Sequence, residues 1–360
     1  MIEVPEIPLE AFEIPLADQK SALGLENTYK GSVQFGVIGS GQAGCRLAKS
    51  FYNIGYKKTL AINTAKADLN PLQLPEEQKL LIGHAEGSGK NMAVGSRAAL
   101  EAQQAILDKM RQVLGPVEKI ILTVGFGGGT GAGSLGVLID ISTKYLKVLG
   151  NPTPEKDVIV LAALPTTGEL NSVVTRNNNK EIQNMIFGRA HEGTLGPIIL
   201  IDNSRIEKLY KGIPPIKFWD TINDTITGLF QVFNYLASQE SEYTTFDAAD
   251  YKVVLNTSGL ATLGVTRIES KADLKLSQAL QDNLKKTLLV DGVNFQTAKE
   301  AACIVTADTE TLGKVSMDEF NYGFDTISNL IPQANIHRGL FESGQKDVRA
   351  YTLVAGMEPK

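Results

Sequence analysis

Residues Gly125-Phe126-Gly127-Gly128-Gly129-Thr130-Gly131-Ala132-Gly133 put six glycines into nine positions, with no charged side chain among them. The chemistry open to such a run is anion binding. Glycine lets a backbone come close to an anion and reach positive φ at little cost, so neighbouring N–H groups can converge on a phosphate. A flexible turn needs fewer glycines. Two other turns share this character. Gly39-Ser40-Gly41-Gln42-Ala43-Gly44 fits G-x-G-x-x-G. The dinucleotide reading of that pattern calls for an acidic residue about twenty positions on to hold a ribose. The corresponding place carries neutral Asn63-Thr64. Glu86-Gly87-Ser88-Gly89-Lys90-Asn91 ends on a Gly-Lys pair, yet P-loop spacing puts its first glycine at position 84, which is His84. Asn91 also stands where a magnesium-binding hydroxyl belongs. This stretch reads as a third phosphate-facing loop or as a plain surface turn. Three such turns suit a triphosphate with magnesium, whereas a single phosphate needs only one. Farther on, Asp247 and Asp250 set two carboxylates three positions apart, a spacing that on its own reads as a capped surface turn.

The elements that must position these turns repeat as strand, turn and helix. Apolar strands are expected at Val33–Gly39, Thr59–Asn63, Lys79–Ile82, Lys119–Val124, Asp157–Leu164 and Pro197–Ile201. Helices are expected at Gly41–Tyr52 and over 92–114, the latter with Leu100, Gln103, Leu107, Met110 and Leu114 on one stripe. This alternation predicts a mostly parallel sheet with helices on both faces and its ligand at the carboxyl edge. A long helix near 217–241 then leads to a smaller α/β region. Strands are expected there at Tyr251–Asn256, Ala301–Ala307, Ala334–Phe341 and Val348–Gly356. One helix among them carries Leu276, Leu280, Leu284 and Leu288; another carries Met317, Phe320, Phe324, Ile327 and Ile331 behind a Ser316/Glu319 capping box. The expected division is an arm at 1–31, a nucleotide-binding domain at 32–214, a central helix at 215–243 and a second domain at 244–360. The arm repeats Glu6-Ile7-Pro8-Leu9 as Glu13-Ile14-Pro15-Leu16, and reads as a disordered tail or as a strap on its own body or a neighbouring copy.

The totals narrow the function classes. A net charge of −5 over 360 residues argues against direct, general nucleic-acid binding. Cys45 and Cys303 give no disulfide framework, and scattered His84, His191 and His337 give no zinc site or histidine-centred triad. No metal-ligand set from the protein is expected. The N-terminus lacks a signal-peptide pattern and no apolar run spans a membrane, so the expectation is a cytoplasmic protein.

Gly127 through Gly133 resembles the signature loop of the tubulin/FtsZ superfamily, and Gly41-Gln42-Ala43-Gly44 is similar to its first nucleotide loop. The resemblance runs from about Val33 through the rest of the chain. It implies a GTP-binding domain joined by a long central helix to a smaller α/β activation domain. It implies GTP or GDP with Mg²⁺ held by Gly41, Gln42, Ala43 and Asn63, by Gly87, Gly89, Lys90 and Asn91, and by Gly127, Gly128, Gly129, Thr130 and Gly131. Pro165-Thr166-Thr167-Gly168-Glu169 resembles the ribose loop, with Glu169 as its acid, and Ile201-Asp202-Asn203 the segment whose asparagine meets guanine. Trp219 and Asn223 hold the places of the stacking aromatic and the base-binding asparagine, one helical turn apart. The Thr245–Asp250 stretch resembles the family's Asn-x-Asp-x-x-Asp loop, with Thr245 in place of the asparagine. Asp247 and Asp250 are thereby expected to act on the GTP of the next subunit in a head-to-tail filament. Val173 falls where FtsZ proteins carry an arginine. Pro197–Asn203 and the Thr-Phe-Asp-Ala loop resemble the plasmid and phage tubulins of the TubZ-like group, whereas Asn63–Leu69 is equally similar to the archaeal CetZ branch. The implied partners are further copies of the chain and, for a DNA cargo, a DNA-binding adaptor. The sequence ends at Lys360 just after the last expected strand, so the tail that reaches adaptors in relatives is not expected.

Overall fold

The computed structural model describes residues 25–209, 212–241, 246–268, 293–314, 316–344 and 347–359, with the single positions 280, 284 and 290. Its strands are β1 (Phe35–Ser40), β2 (Thr59–Asn63), β3 (Lys79–Leu81), β4 (Lys119–Gly125), β5 (Val158–Leu164), β6 (Pro197–Asp202), β7 (Gly259–Ile268), β8 (Val293–Asn294), β9 (Glu300–Ala307), β10 (Asn335–Glu342) and β11 (Val348–Pro359). The helices used below are α1 (Gly41–Asn53), α2 (Lys66–Leu69), α3 (Met92–Glu101), α4 (Gln103–Val113), α5 (Thr130–Val148), α6 (Val173–His191), α7 (Asn203–Leu209), α8 (Pro215–Leu236) and α9 (Ala248–Leu255). Along the sheet the strands run β10-β9-β11-β7-β6-β5-β4-β1-β2-β3, with β8 pairing to β11. Every pairing from β3 to β7 is parallel, and β11 is antiparallel to both β7 and β9. The sheet therefore continues unbroken past the central helix, because β6 and β7 pair directly.

Both faces are covered, so the parallel strands are apolar at nearly every position. On β4, Ile121 packs with Val37, Leu47, Phe51, Ile226 and Phe230 under α1 and α8. Its neighbours Ile120, Leu122 and Val124 point the other way, to Ile106, Met110, Leu135, Ile139 and Ile186 from α4, α5 and α6. The order of succession reverses between β1 and β4, and such a switch point leaves a crevice at the carboxyl ends of the two strands.

Two sequence expectations need correction, and one strand was not expected. The single helix over 92–114 is two, broken at Ala102 (φ −93°, ψ 8°). The break shifts the phase, so Leu100 is 51% exposed and Gln103 is exposed, while Ile106, Met110, Val113 and Leu114 are buried. The strand expected at Tyr251–Asn256 is part of helix α9. Asp247 accepts from Ala249 N and Asp250 N, and Asp250 accepts from Asp247 N, a reciprocal cap that outweighs the β-propensity of Val253 and Val254. Strand β7 had no sequence signal strong enough to expect it, since Gly259, Ala261 and Gly264 dilute its apolar alternation. The helix expected around Leu276–Leu288 lies outside the described residues, although Leu280 and Leu284 are buried. Residues 1–24 of the arm also lie outside them. Its last part packs on the body: the Tyr29 ring stacks on Tyr56 at 4.0 Å, and the Lys30 carbonyl accepts from Gln231 Nε2 of α8 at 2.8 Å.

Candidate functional site

Six strand ends deliver their loops to one place. A cavity of about 330 Å³ at the carboxyl edge is lined from Ser40–Ala43, Asn63–Asp68, Gly87–Lys90, Gly125–Gly131, Ala163–Glu169, Thr175 and Asn203. Two helices open directly on it. Helix α1 starts after Ser40 and α5 after Gly129, and neither has a side chain capping its first N–H groups. By contrast α3 is capped by Asn91 and α6 by Ser172. Orphan N–H groups and two positive dipole ends aimed into one cavity are what a phosphate chain needs.

The loops are held against one another by small hydroxyls and missing side chains. Thr64 and Thr130 hydroxyls lie 2.6 Å apart, Thr130 donates to Ser88 at 3.1 Å, and Ser40 and Ser134 meet at 2.7 Å. A Cβ on Gly129 would sit 2.5 Å from Asn91 N, and one on Gly133 would sit 2.2 Å from Met92 O, so these glycines allow the third loop to nest on the second. That third loop is itself strained. Ala85 and Lys90 are the non-glycine residues at positive φ among the described ones (70° and 63°). Such strain persists only where surrounding contacts enforce it. Here the Lys90 carbonyl accepts from Asn178 and its Nζ donates to Thr175 at 3.4 Å. Lys90 is thereby the cation among the described lining residues.

Of the nucleotide residues expected from sequence, Gly41, Gln42, Ala43, Asn63, Gly87, Gly89, Lys90, Gly127, Gly128, Gly129, Thr130, Gly131, Glu169 and Asn203 line this cavity. Three do not. Asn91 spends its side chain on capping α3. Trp219 lines an adjoining cavity that shares Gln42 and Asp68 with the first. Asn223 is buried on α8 and lines neither. Asp68 is the charged lining residue that sequence reasoning missed, together with the hydroxyls of Ser40, Ser88 and Thr175. It accepts from Asn63 Nδ2 at 3.2 Å and from Gln42 Nε2 at 3.3 Å. A carboxylate thus stands beside Asn63 from α2, five positions later in the chain. Glu169 lines the cavity but its carboxylate already accepts from Thr166 N at 2.8 Å.

Asp247 and Asp250 stand elsewhere. Helix α8 leaves the carboxyl edge and spans 22 residues, about 33 Å, before α9 begins. Lys252 of α9 pairs with Glu118 at 2.5 Å, and Asn256 bonds to Lys119. Glu118 and Lys119 open β4, so α9 lies at the amino edge of the parallel strands, opposite the cavity. Asp247 is exposed there and Asp250 is half-buried. Among the described residues no cluster of His, Cys, Asp and Glu could hold a metal by itself, and no helix is long and apolar enough to cross a membrane.

Known proteins agree with this geometry. The description "Tubulin/FtsZ family, GTPase domain" matches residues 34–211. The tubulin-like protein CetZ of Thermococcus kodakarensis is 27% identical over 335 residues, covering 89% of this chain and 81% of its own length. A GTPγS-form protofilament of TubZ from Bacillus thuringiensis serovar israelensis superposes with TM-score 0.79 at 19% identity, covering 92% of this chain and 89% of that one. A type III plasmid segregation TubZ superposes with TM-score 0.74 at 21% identity, over 92% and 89% of the two chains. CetZ and TubZ proteins stand among both the relatives by sequence and the solved structures of similar fold, consistent with the mixture that the motifs display. Residues 34–211 are a GTPase domain of the tubulin/FtsZ family.

Proposed function

We propose that this GTPase polymerises head to tail and hydrolyses GTP at each junction. One copy binds the triphosphate through the first-turn N–H groups of α1 and α5 and through Lys90, with the base directed toward Asn203 and the adjoining cavity that Trp219 lines. The next copy brings Asp247 and Asp250 to the γ-phosphate, where they orient a water molecule. The water oxygen bonds to the γ-phosphorus as the bond to the β–γ bridging oxygen breaks. GDP leaves, and a water proton passes to the released phosphate. The protein's part is positioning and electrostatics, since fixed N–H dipoles bear the charge that develops on the γ-oxygens. The all-oxygen set of Asp68, Thr130 and Ser88 fits a hard cation held chiefly by phosphates and water, as magnesium is. Magnesium would supply charge neutralisation at the phosphates.

The observation that carries this reading is the separation of cavity and acids to opposite edges of one sheet, which a single chain cannot bridge. A contact of that heterologous kind does not close and so builds filaments. Turnover per chain should rise with protein concentration and level off only once filaments form. Hydrolysis that stays first order in protein from dilute to concentrated solution, with phosphate release and pelleting followed together, rules it out. As cargo we infer DNA, reached through an adaptor rather than by direct contact. The likeness to a plasmid segregation TubZ and the net charge of −5 support that choice.

A further inference from the structure

Asp250 is not a free carboxylate. Its Oδ2 accepts from Asp247 N at 3.3 Å, and its Oδ1 lies 2.8 Å from Nδ1 of His337 on β10. The other ring nitrogen, Nε2, lies 2.8 Å from Oε2 of Glu300 on β9. Glu300 is fixed in turn, because its Oε1 accepts from Asn335 Nδ2 at 2.9 Å and the two residues are register partners on adjacent strands. The side chains of His337 and Glu300 are 16% and 14% exposed, so water competes little for these bonds, whereas Asp250 keeps 32% of its side chain open.

We propose that His337, backed by Glu300, is a positioning residue that holds Asp250 in the orientation needed to act on the neighbouring copy's GTP. The proposal rests on the trans-acting reading of Asp250 given above. A carboxylate only accepts hydrogen bonds, so the tautomer that carries its proton on Nδ1 donates to Oδ1 of Asp250, while Nε2 faces Glu300. The imidazole is thus clamped from both sides and cannot rotate, and it fixes Oδ1 of Asp250. The backbone of Asp247 fixes Oδ2 from the other side. The carboxylate plane is then set before the neighbour arrives. A water-orienting group gains from this, since small misplacement of a reacting partner is costly in rate. Asp247 needs no such partner, because its Oδ1 is already tied to two N–H groups of its own helix. The two acids are therefore oriented by different means, one by its helix and one by the sheet behind it.

The test compares His337→Leu, His337→Asn, Glu300→Gln and Asp250→Asn in the full chain. Turnover per polymerised subunit is measured alongside the threshold concentration for assembly. His337→Leu should assemble at the wild-type threshold but turn over about tenfold more slowly. His337→Asn keeps a donor near the place of Nδ1 and should recover most of that loss. Glu300→Gln, which keeps its shape and loosens the ring, should fall between them and stands in if the leucine variant does not fold. Wild-type turnover in His337→Leu or Glu300→Gln filaments, or a threshold that worsens in step with turnover without rescue by asparagine, overturns the positioning role. Asp250→Asn separates the two layers of the argument. If it is inactive while the His337 variants are normal, only the positioning role fails; if it is fully active, the trans-acting reading fails with it.

Discussion

Gly128 and Gly129 are neighbours with different duties. A side chain on Gly129 would collide with Ser88 and with the backbone at Lys90 and Asn91, so its absence is needed for the loops to pack. A side chain on Gly128 would meet nothing within 4 Å and would extend into open space where Gly128 lines the cavity. Gly128 also has no left-handed φ to lose. Gly128→Val should therefore leave thermal stability near wild type while weakening GTP binding by about tenfold or more, a loss of at least roughly 1.4 kcal/mol. Unchanged affinity in a nucleotide titration would remove this loop from the phosphate site. At this scale the sequence was readily legible, because glycine types and spacings carry their own reason. Asp68 was not, since its role depends on α2 turning it back beside Asn63.

At the scale of elements, the N-terminal part of α9 matters more than its length suggests. Its capping box was visible as two aspartates three apart, yet the following Tyr-Lys-Val-Val-Leu run read as a strand. Helical burial of Tyr251, Val254 and Leu255, with Val253 left 45% exposed, decided otherwise. The base of this helix meets β4 at a buried ion pair, Lys119 with Asp157 at 2.5 Å, in which both side chains are less than a tenth exposed. Burial lowers the pKa of Lys119, and Asp157 pushes it back up. Asp157→Asn removes the counter-charge and leaves the ammonium only neutral acceptors such as Asn256, which should cost about 3 kcal/mol in chemical denaturation at neutral pH. The sign with pH follows from linkage. A lysine whose folded pKa lies below its unfolded value of 10.5 leaves the unfolded chain holding more protons between the two, so stability rises with pH through that window. The deficit of the variant should shrink as pH climbs toward that value. A deficit that is absent at neutral pH would mean the pair contributes nothing to α9's seat.

At the scale of the molecule, one sheet spans both halves and keeps the nucleotide cavity and the acid-bearing helix at opposite edges. Rigidity of that frame is what would let each copy present a finished half-site to the next. If the filament carries DNA as proposed, deleting the gene should destabilise inheritance of a resident plasmid or phage genome over serial passage. Stable inheritance of every such element would redirect the search for cargo to the cell itself. The sequence by itself determined the alternation of strands and helices, the three glycine turns that meet at one cavity and the family they resemble, since all of these are local patterns of glycine and apolar periodicity. Tertiary structure alone decided that β7 joins two regions into a single sheet, that α3 and α4 part at Ala102, and that His337 bridges Asp250 and Glu300. Residues 87 and 37 positions apart become partners only because α9 packs on the sheet and β9 pairs with β10, and no spacing along the chain announces it.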